Sequence, residues 1–67
     1  MMNLPRLKGI IRERGRNYNQ CAEAIGRSVA AFNSKINGRV KFNIEELENL
    51  GNYLEMSEGE KVDIFLR

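Results

Sequence analysis

The sequence predicts an all-α fold of four to five short helices, forming one domain over residues 1–67. Three observations predict it. Apolar residues recur at three- and four-residue spacing in one segment after another. Each segment is preceded by Asn or Ser, whose side chains cap helix N-termini, and Gly or Asn-Gly closes several of them. Strand signal is confined to Val40-Lys41-Phe42. A chain of this length buries roughly 60% of its unfolded surface, so its stability is expected to be marginal.

The first helix is expected from Leu4 to Arg14, with Asn3 as N-cap, Pro5 in the first turn and Leu7, Ile10 and Ile11 facing inward. Gly15 ends it. The second runs from Tyr18 to Ile25, capped by Asn17, with Cys21, Ala22 and Ile25 inward. Gly26 breaks it, Arg27 fills the turn, and Ser28 caps a third helix from Val29 to Asn37. There Phe32 and Ile36 are the inward pair, and Val29, Ala30, Asn33, Ser34 and Asn37 fall on the opposite side. Asn37-Gly38 is a stop signal. A polar, basic loop (Arg39 to Lys41) leads to Asn43 and Glu46, a capping box that opens a fourth helix. Its expected stripe is Ile44, Leu47, Leu50 and Leu54, with Glu45, Glu46 and Glu48 in the first turns, where the helix dipole favours negative charge. Gly51 within it costs about 1 kcal/mol relative to alanine. Ser57 and Glu60 repeat the capping pattern and start a last helix, which Val62, Phe65 and Leu66 would pack onto the core.

Charge divides the chain. Residues 1–41 carry nine Lys/Arg against two acids, and residues 42–67 carry two against seven. A basic front half suits a polyanion partner if its cations share a face, although solvated helix faces are often as basic. There is no histidine and one cysteine, Cys21, so a Cys/His pair or a metal site cannot be assembled from those ligands. Cys21 reads as a small buried hydrophobe. The glutamate pairs are explained by dipole placement without acid–base chemistry, and no enzyme activity and no cofactor are expected. With no long apolar run and no apolar N-terminal stretch, neither a membrane span nor a signal peptide is expected, and a lone cysteine fits the cytoplasm.

Two short helices joined by a glycine-bearing turn restrict their residues physically. Close crossing needs a small residue, here Ala22; the turn needs one free to take positive φ, here Gly26; and the second helix needs bulky anchors, here Phe32 and Ile36. The stretch from Asn17 to Gly38 resembles the Cro/repressor-type (XRE, lambda-repressor-like) helix-turn-helix family: small alanine, Ile25-Gly26, capping Ser28, apolar anchor and closing Asn37-Gly38 at matching spacing. With Phe42, the Ile44–Leu54 helix and Val62-Asp63-Ile64-Phe65, the likeness extends over nearly the whole chain and looks like the small repressors of phages of Gram-positive bacteria.

That resemblance implies sequence-selective binding to a double-stranded DNA operator, repression or activation of transcription, and a nucleoid-associated place in a bacterial host. It implies that Val29, Ala30, Asn33 and Ser34 face base edges, with Asn33 suited to adenine and Val29 or Ala30 to a thymine methyl. Tyr18 matches a phosphate-binding position, and Asn37, Arg39 and Lys41 would touch the backbone across the groove. Arg14 and Arg16 are further phosphate candidates by charge and proximity. Arg27 departs from the family's apolar turn residue and is expected to snorkel outward to phosphate. Lys35 replaces a common buried aliphatic, which leaves the anchoring to Ile36. No arginine lies on the reading face, so arginine-to-guanine contact from that helix is absent. A homodimer on half-sites about 34 Å apart would follow, its apolar end being Ile64, Phe65 and Leu66. The alternative is a protein-interaction module that binds a second phage repressor, with Val29 and Ala30 in a protein contact and Asn33 and Ser34 as solvated surface.

Overall fold

A computed structural model describes residues 2–66, and every described element is helical: α1 (Leu4–Glu13), α2 (Tyr18–Ala24), α3 (Val29–Ile36), α4 (Ile44–Tyr53) and α5 (Glu58–Phe65). Each helix begins where a side chain replaces a missing backbone partner. Asn3 accepts from the Arg6 N–H at 3.1 Å and Ser28 from the Ala31 N–H at 3.1 Å. Asn43–Glu46 and Ser57–Glu60 close reciprocal capping boxes, as expected. A third box joins Asn17 to Gln20, in addition to the two expected. The ends of α1, α2 and α3 each fall one residue short of expectation, within the usual fraying of helix ends. Among the described residues Val40-Lys41-Phe42 forms no strand; it belongs to the turn and loop between α3 and α4.

The core joins Leu7, Ile10 and Ile11 of α1, Cys21, Ala22 and Ile25 at α2, and Phe32 and Ile36 of α3 to Leu50, Leu54, Met56 and Ile64. α2 packs on α3 and α4, and α1 packs on α5. The Asn3 N–H donates to the Ile64 carbonyl at 2.8 Å and ties the start of the fold to its end.

Two helices sit at a different rotation from the one their apolar pattern predicts. In α4 the buried residues are Glu46, Leu50 and Gly51, with Leu54 buried at its C-cap; Leu47 is half-buried and Ile44 is 81% exposed. The helix turns Glu46 inward because two cations wait for it there, and Ile44 is carried out to solvent. Gly51 lies against α5, where an added Cβ would stand 3.0 Å from Lys61 Cε and 3.5 Å from Phe65 Cε2. In α5 the anchor is Ile64, fully buried, in place of Val62 and Leu66, which are exposed. Glu60, four residues earlier on the same face, meets Arg14, so the ion pair and the apolar anchor set the rotation together. Phe65 remains at the margin of the core, as expected.

Candidate nucleic-acid interface

The geometry of α3 is fixed before it. Gly26 takes φ +71°, a left-handed conformation that costs an L side chain energy, and the Arg27 N–H closes the turn on the Ala22 carbonyl at 3.0 Å. Ala22, on α2, is buried. Phe32 is completely buried, its ring 5.3 Å from that of Tyr18 and 5.9 Å from that of Phe42, and Ile36 is buried one turn later. With those two side chains inward, the opposite side of α3 is left to solvent. Val29, Ala30, Asn33 and Asn37 are exposed and Ser34 is half-buried. This face carries small or amide side chains and no charge.

The polar residues differ in how free they are. Asn37 donates its amide to the Asn33 carbonyl at 2.9 Å and accepts from Lys8 Nζ at 3.3 Å. Arg39 and Lys41 follow α3 on the exposed loop. Tyr18 opens α2 beside a cleft of about 360 Å³ that Lys8, Arg12, Arg16 and Asn17 also line. Arg16 lies with its guanidinium 5.2 Å from the centroid of the Tyr53 ring, a cation–π contact that orders an otherwise long arm. Lys8 and Arg12 were not among the expected contacts. Their signal was present, since they stand four apart on α1 and off its apolar stripe.

Three other cations are engaged within the fold. Arg14 donates Nε to the Leu54 carbonyl at 3.1 Å and Nη2 to both Glu60 oxygens at 3.1 and 3.2 Å, tying α1 to the end of α4 and to α5. The Ser57 backbone N–H and the Arg14 guanidinium together hold the Glu60 carboxyl below its ordinary range. Lys35 places Nζ 2.6 and 2.8 Å from the two oxygens of Glu46, and Arg27 places Nε 2.5 Å from one of them. Glu46 also accepts from the Asn43 N–H at 2.9 Å. Burial alone would raise the Glu46 pKa. The hydrogen bonds from Lys35, Asn43 and Arg27, with the charge of Lys35, outweigh burial and bring it down to about 2. Arg27, expected to snorkel outward, instead pairs Nε with the buried Glu46 carboxylate, while its side chain stays half-exposed.

A second surface feature is apolar. Met2, Leu4, Phe42, Leu47 and Phe65 line a groove of about 770 Å³ together with Lys35 and Lys41. Ile44 stands exposed one turn before Leu47, and Val40 is 51% exposed. Burial pushes the Cys21 thiol up to about 11, against a smaller opposing pull from Arg16. No group of His, Cys, Asp or Glu among the described residues is arranged to hold a metal ion, and no described helix is long and apolar enough to cross a membrane. Compared with known proteins, the chain matches no family, no curated protein and no solved structure.

Proposed function

We propose that the chain is a sequence-selective DNA-binding regulator of transcription, in which α2, the Gly26 turn and α3 act as a helix-turn-helix and α3 enters the major groove. The observation that carries this reading is the outer face of α3: uncovered, uncharged, made of small and amide side chains, with cations before, beside and after it. A groove about 12 Å wide admits an α-helix, whose uncovered amide and apolar side chains can meet base edges while the surrounding cations meet phosphate. Asn33 then pairs with adenine, Ser34 donates or accepts, and Val29 or Ala30 meets a thymine methyl. Tyr18, Arg16, Asn37, Arg39 and Lys41 contact the backbone, joined by Lys8 and Arg12 from the α1–α2 cleft. Arg27 contributes from the start of α3. Arg14 has its donors committed to Glu60 and Leu54 and serves as a tether. On a two-fold operator the chain acts as a homodimer, in the manner of Cro-type phage repressors.

Titration of the protein into the regulatory DNA flanking its own gene, at two salt concentrations and against a scrambled duplex, tests this reading. Preferential binding that weakens steeply with salt is expected, because phosphate contacts release counterions. The Asn33→Ala/Ser34→Ala variant is expected to lose the preference and keep the salt dependence. Equal affinity of that variant for the operator would remove the proposed reading face.

A second reading, binding to another repressor protein, draws on one observation: the apolar groove beside exposed Ile44 and Val40. Absence of DNA binding at either salt, together with a 1:1 complex with a second repressor, would favour it.

A further inference from the structure

We propose that Glu46 is a positioning residue for DNA binding: it grips Arg27 through Nε and aims the outer edge of that guanidinium at a backbone phosphate beside the start of α3. The inference rests on the DNA-binding reading and adds to it a residue that touches no DNA.

Glu46 spends its acceptors inside the protein. Lys35 reaches both oxygens, Asn43 donates its N–H to one, and Arg27 donates Nε to the other. Lys35, whose side chain is 11% exposed, already neutralises the carboxylate. Arg27 is therefore a second cation on a single anion. Its side chain is 49% exposed, and among the described residues Nε makes its one side-chain hydrogen bond. A guanidinium carries five N–H donors in a rigid planar fork. With Nε held inward, the Nη donors are left for an outside acceptor, and the fork matches a phosphate. Arg27 immediately precedes Ser28, the N-cap of α3, so the arm springs from the start of the helix proposed to read bases. Holding the arm in advance removes much of the side-chain ordering that an untethered surface arginine undergoes on binding.

Charge and positioning predict opposite signs for the same substitution. Removing a negative charge near a polyanion site strengthens binding if only net charge matters. Removing the grip on Arg27 weakens it if Glu46 positions that arm. The full chain is titrated with a random-sequence duplex at low salt, since a phosphate contact needs no particular sequence, and folding of each variant is checked by circular dichroism. Glu48→Gln, the same charge change at an exposed site on α4, is expected to tighten binding modestly. Glu46→Gln is expected to weaken it several-fold, and adding Arg27→Ala to Glu46→Gln is expected to cost little more. Glu46→Gln that is folded and binds as tightly as Glu48→Gln overturns the proposal. If Glu46→Gln does not fold, Arg27→Lys decides: lysine keeps the charge without the fork, so its affinity should fall nearly to that of Arg27→Ala, and parental affinity overturns the proposal. Failure of the DNA-binding reading shows itself differently, as absence of binding by the parent protein.

Discussion

At the scale of single residues, the buried carboxylate of Glu46 dominates. A lone charge in a protein interior is costly, and this one is retained because two cations and a backbone N–H surround it. Its folded pKa of about 2 lies below the ordinary 4.5, so its stabilisation is complete above the ordinary value and is lost as pH falls toward 2. A difference of that size corresponds to about 3 kcal/mol. Urea unfolding from pH 7 down to pH ~2.5 should show a steep loss over that interval, and Glu46→Gln should flatten much of it, Glu60 supplying the remainder with the same sign. A parental profile flat between those limits would contradict the ion pairs. The capping role of Glu46 was legible from Asn43 three positions before it. Its deeper role was not, because Lys35 and Arg27 lie eleven and nineteen residues away and only the tertiary fold, in which α2 packs on both α3 and α4, brings them near. The same limit applies to Arg14, whose partner Glu60 is forty-six residues distant.

At the scale of helices, local chemistry made the elements legible and distant contacts decided their rotation. Caps act within three or four residues, so Asn3, Asn17, Ser28, Asn43 and Ser57 mark every helix start in the sequence itself. The outer face of α3 was equally readable, since Phe32 and Ile36 at i and i+4 leave no other side for Asn33. The inward faces of α4 and α5 were legible only in part: Leu50, Leu54 and Phe65 fall where apolar spacing puts them, but Ile44 and Val62 are exposed while Glu46 and Glu60 turn to their ion-pair partners. Two glycine substitutions separate these influences. Gly26→Ala meets no neighbour within 4 Å but must hold φ +71°, so it should cost roughly 1–2 kcal/mol through the backbone alone. Gly51→Ala has helical geometry and crowds only the flexible end of Lys61 at 3.0 Å, beside an ordinary contact with Phe65. The lysine tail can move aside, so this variant should gain up to about 1 kcal/mol of helix propensity. Thermal melts of the two variants should shift in opposite directions; a loss at Gly51 would show α4 and α5 packed too tightly to yield.

For the whole molecule, one small core carries everything. Phe32 lies completely buried between Tyr18 and Phe42. Truncating it to alanine should cost about 3–5 kcal/mol, close to the entire stability of a domain this size. Far-UV circular dichroism and amide dispersion should show the Phe32→Ala variant largely unfolded, and a well-dispersed spectrum would displace Phe32 from the centre. The division of charge between the two halves of the chain was also legible, but not how much of it the fold uses internally: Arg14, Arg27 and Lys35 all meet glutamates. Cys21, the only thiol, sits in that core with no exposed surface and is held protonated at neutral pH. A thiol reagent can reach it only when the core opens, so the chain carries a built-in clock for its own unfolding. At low reagent concentration the rate of labelling reads the fraction of molecules open, and at high concentration it reads how often they open. On the proposed DNA-binding reading, added operator DNA should slow labelling at low reagent by the ratio of free DNA to its Kd.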